Sequence, residues 1–385
     1  MSFLLGLDVG TSSVKALLLE YEGLVLGTAI EEYPLYTPLP GWSEQDPEDM
    51  WLASVRAIKG VLEKCGVSGK DVSAIGLSGQ MHSAIFLDRS CEVIRPAILW
   101  NDVRTGPQCR LIKETVSPET LLEEASNPAL EGFTLPKVLW LREHEPRNFE
   151  KMCWVILPKD YVRFRLTGNI QIEISDAAGT LMMNVRKQEW SRPVLNKLGL
   201  DDQFLPPIIQ SLEIAGEIST KVAALTGLKA GTPVVGGGAD NACGAVGSGV
   251  VEKGRALLSL GTSGVLLAHL EEFRLVDAGT IHMFNSCVPN EFYMMGVMLS
   301  AGFSLNWFRN QFGRSTLSYS QLTEQAAAVP AGSRGLTFLP YLMGERTPHG
   351  DSNARGCFIG ISPAHDEAHL ARAVLEGVAL AFRDS

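Results

Sequence analysis

Asp8 closes an apolar run, residues 4–9, and is followed by Gly10-Thr11-Ser12-Ser13 and a second apolar run, residues 14–19. Apolar strand, Gly-hydroxyl turn, apolar strand is the pattern of a β-hairpin. The tip of such a hairpin presents backbone N–H groups and hydroxyls to a phosphate, while the acid beside it faces the accompanying metal. A plain N-terminal hairpin with a polar turn would read the same way. The pattern recurs, however: residues 256–260, then Gly261-Thr262-Ser263, then residues 264–268. Two phosphate-type hairpins half a protein apart predict two related lobes that face each other with a nucleotide between them. Only the first copy carries an acid before its glycine, since Leu260 stands there in the second, so the metal falls to Asp8.

A third acid, Asp240, follows Gly236-Gly237-Gly238-Ala239 and precedes the small residues Asn241-Ala242-Cys243-Gly244-Ala245. The glycines let backbone approach a ligand closely, and a helix start favours an anion nearby. Asp240 therefore reads either as a general base or as a helix N-cap, a role aspartate often fills. Transfer of a phosphoryl group to a hydroxyl needs an aligned acceptor, a metal across the phosphates and a proton acceptor, and Asp8, the two hairpins and Asp240 would supply that set. Gln80-Met81-His82 and Trp100-Asn101-Asp102-Val103-Arg104 each follow a β run and offer polar groups and apolar walls suited to a polyol. Core packing or a satisfied structural histidine would account for the same residues. The chain carries no Walker A sequence, no G-x-S-x-G elbow and no metal-type histidine cluster.

These residues need a scaffold of strands and helices. Residues 23–30 extend the first hairpin, Asp46-Pro47-Glu48-Asp49 marks a capped helix start with an apolar stripe of Trp51, Val55, Ile58 and Leu62, and residues 72–78 read as a buried strand. Strand, helix, strand in this order predicts an α/β layer with ligand groups at the carboxyl ends of strands. The middle alternates helical patterns with Pro and Gly breaks, and residues 369–382 form an apolar helix that needs partners. At 385 residues and 45% hydrophobic content, the chain suits two domains, expected at 1–247 and 248–385, the latter a nucleotide-binding domain that looks incomplete.

The net charge of −10 argues against nucleic-acid or anionic-membrane partners. No stretch reaches the roughly 18 to 20 apolar residues of a membrane span, and the N-terminus enters a strand without a leader, so the expected location is cytoplasmic. Seven cysteines without a C-x-x-C pair predict reduced, mostly buried thiols.

Two longer segments go further. Residues 132–144 (Gly132-Phe133-Thr134-Leu135-Pro136-Lys137 and onward to His144) and residues 356–376 (Gly356-Cys357-Phe358-Ile359-Gly360 through Glu376) resemble, in order, the two signatures of the FGGY carbohydrate kinase family of the actin-like ATPase superfamily. Trp42-Ser43-Glu44-Gln45-Asp46-Pro47, Leu157-Pro158-Lys159-Asp160-Tyr161, Gly344-Glu345-Arg346-Thr347-Pro348-His349 and the Met81-His82 pair resemble its ketopentose branch; glycerol kinases carry Arg-Glu where Met81 and His82 stand. The resemblance implies an α/β fold of two actin-like, ribonuclease H-like lobes around a central cleft, the second lobe incomplete because nothing after Phe382 matches the family's adenosine-binding segment. It implies ATP-dependent, magnesium-assisted phosphorylation of D-xylulose to D-xylulose 5-phosphate. Asp240 would accept the proton; Met81, His82, Asp240 and Asn241 would hold the sugar. Asp8 would serve magnesium, and Gly10, Thr11 and Ser12 would join Gly261, Thr262 and Ser263 around the triphosphate. The expected partner is a small ketose, and the chain could form a homodimer. Another kinase of the family, or a non-catalytic sugar-binding module, remains an alternative.

Overall fold

Alternation of buried and half-buried residues draws the N-terminal segment into β1 (Phe3–Val9), whose Phe3, Leu5, Leu7 and Val9 face the core while Leu4, Gly6 and Asp8 face the other way. The computed structural model describes residues 2–275, 280–312, 316–351 and 353–385. Its contacts separate into two compact units: Met1–Val251 with Glu271–Leu275 and Phe284–Phe292, and Glu252–Leu270 with Val276–Met283 and Tyr293–Ser385.

In the first unit, β1 pairs antiparallel with β2 (Ser13–Glu20), which pairs with β3 (Val25–Glu32). Asp46 accepts the Glu48 N–H at 2.9 Å and starts α1 (Pro47–Cys65), which ends at Gly66. Trp51, Val55, Ile58 and Leu62 are buried on its inner face, which packs across β2 and β3. Truncating one of these side chains to alanine costs about 2–5 kcal/mol at such a site. The chain then returns as β4 (Val72–Gly79), parallel to β1, so that Asp8 lies between Lys15 and Ser78.

Among the helices between β4 and the remaining strands of the sheet are α2 (Thr134–His144), α3 (Pro158–Thr167) and the short α4 (Ile174–Ala178). Beyond them β5 (Ile214–Glu217), β6 (Pro233–Val235) and β7 (Gly238–Ala239) complete a seven-stranded sheet of order β5-β6-β4-β1-β2-β3, with β7 also paired to β4. β7 runs into α5 (Asp240–Gly247). The carboxyl ends of β1, β4 and β7 thus deliver Asp8, Gln80-Met81-His82 and Asp240.

A further four-stranded sheet, of order β8-β9-β11-β10, is made of β8 (Ala256–Leu260), β9 (Gly264–Leu270), β10 (His282–Asn285) and β11 (Phe292–Met298); apart from Phe284, Asn285 and Phe292 its residues belong to the second unit. α6 (Gly302–Gln311), α7 (Tyr319–Ala327), the pair β12 (Thr337–Leu339) and β13 (Cys357–Ile359), and α8 (Glu367–Asp384) follow. Asp366 and His369 form a reciprocal capping box that starts α8. Its inner face, Ala371, Ala373 and Val374, shares a core with Phe308, Leu322 and Phe338. Gly377 permits close packing there, because a Cβ would sit 2.2 Å from the Phe338 carbonyl.

All seven cysteines are free, as expected, but only Cys109 is buried; Cys357 is exposed and the other five are half-buried. They occupy the margins of elements more than the core. No helix among the described residues is long and apolar enough to cross a membrane.

Candidate functional site

The hairpin tip between β1 and β2 is held by a ring of donors that turns its carbonyls into the protein. Gly10 O accepts from the Tyr33 hydroxyl and from Gln80 Nε2 at 3.3 Å, Thr11 O accepts from Gln45 Nε2 at 2.6 Å, and Ser12 O accepts from the Tyr33 N–H at 3.3 Å. Trp100 Nε1 donates to Thr11 Oγ1 at 2.9 Å. Burial, reinforced by the Asp8 charge, holds the Tyr33 phenol above its ordinary range, so it remains a donor. The tip keeps its shape through these bonds, with Ser12 exposed and Thr11 half-exposed. Gln45 and Tyr33 escaped the sequence reading; Gln45 lies inside a quoted motif, but nothing local marks it as the partner of a turn 34 residues away.

Two expectations need correction. Gln80 is not a sugar donor: it is buried, its amide nitrogen bonds Gly10 O and Gln45 Oε1, and its oxygen accepts from Ser83 Oγ at 3.1 Å. Asp102 and Arg104 are likewise consumed internally. Asp102 pairs with Arg104 at 2.7 Å and accepts the Ser43 N–H at 2.6 Å, while Arg104 also meets Glu44 at 2.7 Å and lies 3.6 Å from the Trp42 ring centroid. That knot fixes the loop and leaves Trp100 and Asn101 exposed.

Asp240 is the first residue of α5, and Ala239 occupies the N-cap position, so Asp240 is not the cap. Its Oδ1 accepts the Asn241 N–H at 2.7 Å and Asn241 Nδ2 at 3.1 Å; the same Nδ2 reaches Met81 Sδ at 3.7 Å. Asp240 is exposed to solvent, although its carboxylate sits close above the densely packed end of β7 and the start of α5. The hydration lost to that packing raises its pKa; the Asn241 N–H opposes the rise, nearby Asp8 adds to it, and the result is pushed up to about 6. A carboxylate poised there is a serviceable base at neutral pH. Gly237 makes the approach possible, having φ +79° and no room for a side chain, since a Cβ would lie 2.1 Å from the Leu77 carbonyl.

His82 has φ 66° and its Nδ1 bonds the Gly179 carbonyl at 2.7 Å, which assigns the ring proton to Nδ1. Phe133 and Phe284 stand beside the ring at 4.4 and 5.9 Å between centroids. The His82 carbonyl accepts from Lys137 Nζ at 3.3 Å, and the same ammonium bonds Phe133 O at 2.8 Å and Gly132 O. Burial pushes the Lys137 pKa down to about 7, against the pull of Asp102. Lys137 is thus a third residue, after Gln45 and Tyr33, that the sequence reading did not single out, although it lies within the signature segment 132–144.

Asp8, the Gly10–Ser12 tip, Met81, His82, Asp240 and Asn241 all lie in the first unit. Gly261, Thr262 and Ser263 form the exposed tip of the second unit's hairpin. There the Gly261 N–H bonds Ser263 O at 3.0 Å, much as the Gly10 N–H bonds Ser13 O at 3.1 Å. Gly261 O and Thr262 O accept from the N–H groups of Gly302, Ala301 and Phe303 around the start of α6. Among the described residues no group of three or more His, Cys, Asp or Glu could cage a metal. A lone carboxylate such as Asp8 would suit a magnesium ion held mostly by phosphate oxygens rather than by a protein cage.

Comparison with known proteins identifies the family. Residues 3–247 match the model of the N-terminal domain of the FGGY family of carbohydrate kinases, and residues 256–385 match its C-terminal domain. The chain is 45% identical over 385 residues to a xylulose kinase of Bacillus subtilis (strain 168), covering 100% of this chain and 77% of that protein. It is 30% identical to a gluconokinase of the same organism, covering 98% of this chain and 75% of that protein. The crystal structure of a ligand-bound xylulose kinase from Lactobacillus acidophilus superposes with a TM-score of 0.94 at 28% identity, covering 100% of this chain and 77% of that one.

Proposed function

Because the chain belongs to the FGGY family of carbohydrate kinases, we propose that it transfers the γ-phosphoryl group of ATP to the 5-hydroxyl of D-xylulose, yielding D-xylulose 5-phosphate and ADP. The observation that carries this reading is Asp240, a carboxylate whose pKa is pushed up to about 6 beside Asp8 and tied through Asn241 to Met81. Met81, His82 and Asn241 bind the ketose and aim its terminal hydroxyl at Asp240. As that oxygen attacks the γ-phosphorus, its proton passes to the carboxylate and the bond to the β,γ-bridging oxygen breaks, leaving ADP. Gly10, Thr11 and Ser12, with Gly261, Thr262 and Ser263, bind the triphosphate through N–H and hydroxyl groups. Asp8 would hold magnesium, which neutralises charge on the phosphates when bound. Positioning supplies most of the acceleration, and base catalysis about 10²–10⁴-fold.

The test is Asp240→Asn, read by ADP release and by xylulose calorimetry. We expect kcat to fall by about 10²–10⁴-fold with the sugar Kd within threefold of the parent; undiminished turnover would remove Asp240 from the base role. The gluconokinase relative keeps a second acceptor in view. A panel of xylulose, gluconate and glycerol ranks acceptors by kcat/KM, and a higher value for either of the last two would overturn the choice of xylulose.

A further inference from the structure

Beneath the site lies a knot of five ionisable side chains, Lys159, Asp160, Arg163, Glu173 and Asp176, all fully buried. Lys159 Nζ lies within 3.2–3.3 Å of Asp160, Glu173 and Asp176, and Arg163 pairs with Asp160 at 2.7 Å. Buried charges are costly and weak evidence for stability alone, so a fivefold cluster asks what it positions. Two of its outward bonds run toward the site.

Arg163 Nη1 donates to the Gly236 carbonyl at 2.8 Å and Lys159 Nζ to the same oxygen at 3.4 Å. Three residues on, the Ala239 N–H donates to Ser175 Oγ at 2.9 Å. Five donors converge on the Glu173 carboxylate: the Ser175 N–H and hydroxyl, the Asp176 N–H, the Ser211 hydroxyl and Lys159. Because the Ser175 hydroxyl spends its hydrogen on Glu173 at 2.7 Å, its lone pair is the part left to meet the Ala239 N–H. Both ends of the segment 236–239 are therefore gripped, and Asp240 is the next residue. On the other side of α4 the Gly179 N–H donates to Asp176 O at 2.9 Å, and Gly179 O accepts from His82 Nδ1 at 2.7 Å.

We propose that α4, anchored by the buried charges, is the positioning element of the reaction: Ser175 sets the Asp240 end of the glycine loop, and Gly179 sets His82. Neither touches substrate. This rests on the reading of Asp240 as the base. Protonation within the knot agrees with a fixed anchor. Burial raises the Asp176 pKa well above the carboxylate range against Lys159; burial alone would lower Lys159, but Asp160, Asp176 and Glu173 more than reverse that.

The experiment uses the full chain with Ser175→Ala, Ser175→Thr and, as a control, Ser54→Ala, whose hydroxyl bonds Met50 O in α1 away from the site. Ser175→Ala should lower kcat about tenfold, leave the xylulose KM within twofold and move the acid limb of kcat/KM by at least half a pH unit, while Ser175→Thr restores kcat to within threefold and Ser54→Ala changes none of these. Parental kcat and pH limb in Ser175→Ala would overturn the proposal, as would an equal loss in Ser54→Ala. Should Ser175→Ala fail to fold, Glu173→Gln, which preserves side-chain size, reads the same link, and parental kcat there is equally fatal. Asp240→Asn separates the two readings: its full activity sinks the base assignment, whereas its inactivity beside an unaffected Ser175→Ala sinks only the positioning role.

Discussion

The Asp240 carboxylate is a liability to the fold and an asset to the reaction. Its pKa of about 6 lies above the ordinary 3.8, so the folded state holds a proton more firmly than the unfolded chain between those values. Stability from this group is greatest below the lower value and declines as pH rises through 6. Asp240→Asn, neutral throughout, should therefore melt at a higher temperature than the parent at pH 8, with the gap closing by pH 4; an unchanged or lowered melting temperature at pH 8 contradicts the shift. Activity has the opposite slope. Because the base must be unprotonated, kcat/KM for the sugar should climb tenfold per pH unit below about 6 and level off above it, as a pH–rate profile will report. At this scale the sequence was eloquent about Asp240, whose glycines and helix start stand adjacent to it, and silent about Ser175 and Lys137. Their partners are 64 and 55 residues away, at Ala239 and His82, and no local pattern encodes such a distance.

Elements explain why some expected donors are absent from the site. The end of β4 carries Gln80 to the carboxyl edge of the sheet, as the α/β reading anticipated, whereas Asp102 follows a strand, Ala97–Ile98, that pairs with Glu44–Gln45 outside that sheet; local packing turns both inward, Gln80 into the hairpin ring and Asp102 into the knot of Arg104 and Trp42. The alternation that forecast β1 and β2, and the cap that forecast α1, are near-neighbour signals and survived folding intact. The same distinction yields a test. Gly237→Ala would force a side chain into a positive-φ residue already in contact with the Leu77 carbonyl, where neither partner is a flexible side chain. A loss above about 2 kcal/mol is expected from chemical denaturation, with kinase activity lost even where the variant remains folded.

Across the whole chain, the repeated Gly-Thr-Ser motif was the clearest sign of two units, because each copy needs its own pair of strands. The chain spans about three quarters of the length of the curated relatives it matches. If both tips bind the triphosphate, Ser12→Ala and Thr262→Ala, one substitution in each unit, should each raise the KM for ATP about tenfold, the loss of one hydrogen bond to a charged group, while the xylulose Kd stays within twofold. An effect confined to Ser12→Ala would leave the second tip without a role in nucleotide binding.

The ring of donors around Gly10, Thr11 and Ser12 has a thermodynamic corollary. A loop already frozen by Gln45, Gln80, Tyr33 and Trp100 surrenders little freedom when an anion lands on it. Phosphate capture at this tip should accordingly resemble docking onto a solid surface, with little entropic penalty.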